Sequence, residues 1–350
     1  MSTLSHSPVV SPLGFASGVR SVFSLEMKQR LRSRSWYVLL GVWFVVIGLV
    51  AMLTALNAGS QQGRQGPVLF ELMVGFVLFF GLLLAPALSA NGVNGDRAAG
   101  TLAILQVTLL RPGQILAGKW LAAWVASLGF LVASVPFLLW ALALGGVRPL
   151  SALVAVLMLA VELGIVCAIG VGVSALAARP LFSIVVTYMV VALLGLGTLI
   201  AFGLSATLTE GTVKASPLQY SSLDSQDYVC VGEVREMPAL HTERVAWILS
   251  ANPFVIVADA MPTAGPDSDG GVMEGISIIV RQAQAGPESS LPCVDGVKQD
   301  GVTPGALEDV PPIWPLGLLI QLGLAALLLF LGRRRLVTPV RNLSAGTRIA

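Results

Sequence analysis

Hydrophobic and polar positions alternate along this chain in long blocks, not in the short periods of a soluble domain. Six apolar blocks lie at roughly 36–56, 68–90, 119–144, 150–177, 181–205 and 314–332. Each is close to or above the ~20 residues that carry an α-helix across the hydrocarbon core of a bilayer. Within that core every peptide group must be satisfied by its own segment, so the blocks predict helices. The expected fold class is an all-α integral membrane protein with six transmembrane helices, five of them within 36–205 and the sixth at 314–332.

The polar intervals organise the rest. Residues 1–14 are rich in Ser and Pro and lack the apolar core and small-residue cleavage site of a signal peptide, which predicts a disordered cytosolic leader. Phe15, Val19, Phe23, Met27 and Leu31 recur every four positions among Arg20, Lys28, Arg30, Arg32 and Arg34. This pattern over 15–34 suits an amphipathic helix on the membrane surface, or a soluble basic flank that only fixes topology. Asn57 to Pro67 and Gly145 to Pro149 read as tight connections on one side of the membrane. The opposite side then holds the turn at Ala178-Arg179-Pro180 and a longer polar interval, Asn91 to Gly118. Residues 206–313 are too polar to span, apart from a semi-apolar patch from Val245 to Met261, and predict a large external loop or domain.

Composition agrees with the pattern, and charge orients it. The chain is 55% hydrophobic and 11% charged, against about 25% charged in ordinary soluble domains. The side holding the leader, the Asn91 interval, the Arg179 turn and the basic 333–350 tail carries 14 basic residues and two acids, Glu26 and Asp96. The other side carries seven basic residues and 16 acids if Glu71 is counted there. The positive-inside rule therefore expects both termini in the cytosol.

Few residues could carry chemistry. The two histidines, His6 and His241, are far apart in sequence and give no metal centre or catalytic grouping. No basic, aromatic-interleaved surface suggests nucleic acid. The acid-rich stretch from Pro262 to Asp309 lacks the EF-hand spacing and reads as a solvated loop. Cys230 and Cys293 both fall in the external segment and could form a disulfide or remain two thiols. Cys167 falls within a span and reads as a packing residue. Gly113 to Trp120 nearly repeats a phosphate-binding loop, but Trp120 stands where a hydroxyl should hold Mg²⁺, and no strand precedes it. No nucleotide site is expected in this chain.

Glu162 is the one acid deep in a span, where a charge costs about 2.5–3.5 kcal/mol. Ala160, Gly164, Ala168 and Gly172 form a small-residue stripe on the same helix, and Glu162 points about 140° from its middle. It is expected to face a cavity or a subunit interface, or to be a carboxyl kept neutral, or bonded to a neighbouring helix, for structural reasons.

The sharpest pattern lies in the Asn91 interval. Asp96-Arg97-Ala98-Ala99-Gly100-Thr101-Leu102, then Leu105, Thr108, Arg111-Pro112 and Gly118-Lys119, resembles the cytosolic signature of ABC-2-type ABC transporter permeases. Asn252-Pro253-Phe254 ahead of the last span is also similar to that family. Ala98 and Ala103 depart from it, standing where the family often has acids. The resemblance implies a short coupling helix near 98–110, opened by a cap at Asp96 or Asn94, ended by Pro112, and seated on a separate ATPase. Asp96, Arg97, Gly100, Thr101, Leu102, Leu105, Thr108, Arg111 and Lys119 are its expected coupling residues; a plain surface hairpin is the other reading. It further implies export powered by an ABC ATPase subunit that binds the ATP, with no cofactor in this chain. The other expected partners are a second permease copy or paralogue and lipid, in a bacterial plasma membrane. Two rival functions fit the same spans: a membrane-anchored sensor or assembly protein working through its external loop, and an ion-coupled carrier using Glu162.

Overall fold

The computed structural model describes residues 14–58, 65–100, 110–220, 228–262, 271–291, 293–294, 297–298 and 310–336. Helix α1 (Phe15–Arg32) is set off from α2 (Arg34–Ala58) by an extended Ser33. Then follow α3 (Gln65–Ser89), a short α4 (Gly92–Ala98), α5 (Pro112–Ala143) and α6 (Pro149–Leu176). The fifth span is α7 (Pro180–Ala192) and α8 (Thr198–Thr207), continuous through a π-helical turn at Leu193–Gly197. The sixth is α12 (Trp314–Leu336). Six helices among the described residues are long and apolar enough to cross a membrane, as the hydrophobic blocks predict.

The third span begins seven residues ahead of its apolar block. Pro112 occupies the first helical turn, where a missing N–H costs nothing, and Gln114 Oε1 accepts the Arg111 N–H at 2.7 Å to complete a cap. Lys119 consequently sits two turns inside α5 instead of opening the span.

Helix α6 is the hub, packed by α12, α3, α5 and α7. Its small residues do not serve one neighbour. Gly164 lies beneath Trp124 of α5, Gly170 against Ser89 of α3, and Gly172 against Leu328 of α12. The absence of side chains lets three helices approach from different sides. Trp120 and Trp124 then donate their indole N–H groups to the Gly164 and Ala160 carbonyls at 2.9 and 2.8 Å. At the periphery, α2 and the fifth span expose Leu, Val and Phe side chains along most of their length, the surface expected of helices that meet lipid.

The segment between the last two spans is a small mixed domain. Strand β1 (Glu210–Ala215) pairs antiparallel with β4 (Arg235–Leu240), from Glu210 opposite Leu240 to Ala215 opposite Arg235. Short strands β2 (Leu218–Tyr220), β3 (Tyr228–Cys230), β5 (Cys293–Val294) and β6 (Val297–Lys298) complete two small sheets. A Cys230–Cys293 disulfide ties β3 to β5.

Three helices return this segment to the bundle: α9 (Trp247–Ser250), α10 (Pro253–Ala260) and α11 (Val272–Ala285). The Val245–Met261 patch of the predicted loop thus holds two short helices, of which α10 is largely buried against α6 and α12. Asp259 anchors it. One carboxylate oxygen accepts the Ile313 and Trp314 N–H groups at the start of α12, at 2.7 and 3.2 Å, and the other pairs with Arg281 at 2.9 Å.

Candidate coupling site

Helix α4 carries Asp96 and Arg97, and four neighbours fix it in place. The N–H groups of Val93 and Asn94 both donate to Ser174 Oγ of α6 at 3.1 Å, so a serine from another helix satisfies two of its open amides. Arg97 Nη1 donates to the Ala177 carbonyl at 2.6 Å and to Asn94 Oδ1 at 2.9 Å. Ser183 Oγ donates to the Ala90 carbonyl at 2.5 Å just ahead of α4. These bonds stitch α4 to the connection between α6 and α7.

Lys119 closes the site from the α5 side. Its ammonium lies 2.6 Å from Asp96 Oδ2 and also contacts Glu26 Oε1 of α1, and its side chain is 2% exposed. One buried cation is therefore shared by two acids from two elements. One turn further along α1, Arg30 donates to the Leu88 carbonyl at the end of α3 at 2.8 Å. Burial lowers the Arg30 pKa from its ordinary value, and neighbouring Glu26 opposes the shift.

Helix α1 earns this position through a stripe that the apolar periodicity hides. Gly18, Val22, Glu26 and Arg30 recur every four residues, one step from Val19, Phe23 and Met27. Gly18 abuts the Gln114 side chain, whose Nε2 donates to the Gly14 carbonyl at 3.2 Å, and Val22 lies against Gly118. The helix thus packs on protein along α5 with one stripe, while Phe15, Leu25 and Leu31 stay exposed.

The expected coupling residues divide into three groups. Asp96 and Lys119 meet in one ion-paired junction, and Arg97 instead holds the end of α6 through the Ala177 carbonyl. Lys119 is enclosed by its own chain, so it is not a surface contact; the two acids around it explain why. Gly100 and Arg111 flank the interval 101–109, which holds Thr101, Leu102, Leu105 and Thr108 and lies outside the described residues. Ala98, expected to begin the coupling helix, instead ends α4, and Gly100 takes a left-handed φ of +74°. Asn94 and Asp96 accordingly lie within α4 and do not cap a later helix. Glu26, Ser174 and Gln114 belong to the site although sequence reasoning did not assign them; the one acid among the basic residues of α1 was the available signal.

Glu162 lies elsewhere. It is fully buried, beside the Gln321 side chain of α12. Both of its oxygens and Gln321 Oε1 lack a hydrogen-bond partner. Helix α6 is enclosed from Glu162 to Ala175, so a side chain pointing away from the small-residue stripe there still meets protein. A carboxyl carrying its proton could donate to Gln321 Oε1 and resolve two of these orphaned oxygens.

The geometry so far is that of a polar junction at one end of a six-span bundle. A model of the family described as ABC-2 family transporter protein matches residues 20–268, from within α1 to beyond α10. The chain belongs to the ABC-2 transporter family. A comparison with curated proteins gives no match. In this ABC-2 chain the match covers most of α1, the junction around Lys119 and five of the six spans. It identifies a permease component of an ABC transporter and a multi-pass membrane protein.

Proposed function

We propose that this chain forms half of the translocation path of an ATP-driven exporter, with both termini in the cytosol of a bacterial cell. A second permease copy or paralogue supplies the other half. A separate ABC ATPase subunit binds the ATP and docks on the 94–111 interval. Family membership supports the ATPase partner. The observation that carries the coupling role is the junction at Lys119, which joins α4 to α1 and α5 while Ser174 and Arg97 join it to α6. A displacement imposed on residues 101–109 would reach three elements at once, because buried ion pairs and hydrogen bonds hold α4 against all of them.

The test is co-purification of the ATPase from native membranes. Combined Gly100→Asp, Thr101→Asp and Leu105→Glu changes are expected to abolish recovery of the ATPase while the permease remains folded and membrane-inserted. Undiminished recovery would overturn the docking assignment. Isolation of the native chain only as a lone subunit would overturn the exporter reading itself.

A further inference from the structure

Two guanidinium groups meet at the end of α6. Arg97 Nη1 of α4 donates to the Ala177 carbonyl at 2.6 Å, and Arg335 Nη1 at the end of α12 donates to the neighbouring Leu176 carbonyl. The open carbonyls of a helix C-terminus attract a cation, which accounts for one arginine there. The second stands close enough for the two charges to repel. No acid of this chain offsets that repulsion. The two acidic side chains on this side, Glu26 and Asp96, both lie on Lys119. Residues 1–13, 101–109 and 337–350 contain neither Asp nor Glu. Arg97 also donates from Nη1 to Asn94 Oδ1, and the Nε and Nη2 donors of both arginines make no bond to the described residues. Two fixed cations with spare N–H groups and no carboxylate form a fork for an oxyanion, phosphate above all.

The surface leading to this fork is apolar and faces outward. Leu327, Phe330 and Leu331 of α12 are 53, 48 and 39% exposed, as lipid-facing side chains are. One helical turn on from Phe330 comes Arg334, and one turn on from Leu331 comes Arg335, so the apolar stripe ends in charge. The Arg334 guanidinium lies over the Phe330 ring, 4.4 Å from its centre. A free phosphate would use the arginines alone. A molecule with an acyl chain and a phosphate uses the stripe and the arginines together, and basic sites at the ends of spans bind such headgroups.

We infer that the end of α12 holds one anionic phospholipid, its phosphate on Arg97 and Arg335 and an acyl chain along Leu327, Phe330 and Leu331. The bound phosphate offsets the repulsion between the two arginines and ties α12 to α4, which no ion pair within the described residues does. The site needs the six spans but no ATPase.

Native mass spectrometry of the detergent-purified full chain tests this, with phosphatidylglycerol and phosphatidylcholine of identical acyl chains titrated separately. One phosphatidylglycerol is expected to bind at a lower concentration than any phosphatidylcholine. Arg335→Gln removes the charge and keeps a donor for the Leu176 carbonyl; it should weaken phosphatidylglycerol binding about fivefold and leave phosphatidylcholine unchanged. Arg20→Gln, which removes an exposed charge from α1, should change neither. If Arg335→Gln does not fold, Arg334→Gln decides by the same comparison. Equal binding of the two lipids, or the same loss from Arg20→Gln, would overturn the inference and reduce the effect to general surface charge. Displacement of phosphatidylglycerol by inorganic phosphate would overturn it in favour of a free phosphate. Native phosphatidylglycerol affinity in the folded Arg335 or Arg334 variant would overturn it in favour of an acidic partner protein. Each outcome leaves the ATPase-docking reading untouched, because the measurement contains no ATPase.

Discussion

Lys119 and its two acids show how much rests on a single side chain. A buried ion pair contributes little net stability, yet removing one member leaves a charge without compensation. Lys119→Met would leave Glu26 and Asp96 facing each other with no cation between them. The expected loss is on the order of 3 kcal/mol, read as a lowered unfolding midpoint of the purified protein. Adding Glu26→Gln and Asp96→Asn to Lys119→Met should recover much of that loss, since no buried charge then lacks a partner. Failure of the triple variant to recover would mean that Lys119 acts through packing and not through charge. Sequence showed Asp96 and Lys119 as charges near a membrane boundary. It did not show Glu26 beside Lys119, because the two are 93 residues apart and periodicity carries no information about which helices meet.

Among the elements, the long helices were legible and the short ones were not. A bilayer forces about 20 apolar residues onto each spanning helix, so composition alone locates it. Helix α9 has four residues and α10 has eight, too few turns for a pattern, and α10 is apolar because it packs into the bundle. Its entry point is Asn252, which accepts the Phe254 N–H as a cap at 2.9 Å and donates to the Gly195 carbonyl at 2.7 Å. Gly195 lies in the π-helical turn of the fifth span, where the widened backbone takes a partner from outside the helix. Asn252→Ala removes both of these bonds and a third, to Thr198 Oγ1 at 3.0 Å, and should cost about 2 kcal/mol. The distinguishing readout is faster amide hydrogen exchange in both 193–198 and 253–260. A change confined to 253–260 would show that the π turn needs no help from Asn252.

At the scale of the whole molecule, the distribution of charge and the position of the cysteines lead to one experiment. Basic residues gather at the α4 end and acids at the end formed by the β-strands and α11, and by the positive-inside rule this asymmetry supports the proposal that α4 is cytosolic. Oxidising compartments sustain disulfides, so the Cys230–Cys293 bridge supports the proposal that its domain lies on the opposite side of the membrane. Cys167 is buried within α6. The native chain should therefore take up no membrane-impermeant maleimide in intact cells, giving a clean background for added cysteines. Glu233→Cys, exposed in the loop before β4, should be labelled in intact cells, whereas Ala99→Cys, exposed beyond α4, should be labelled only after permeabilisation. The reverse pattern would place α4 outside the cell, beyond the reach of any cytosolic ATPase, and the coupling proposal would fail with it. Labelling of the native chain in intact cells would show instead that Cys230 and Cys293 are free thiols, leaving the orientation to be read from Ala99→Cys alone.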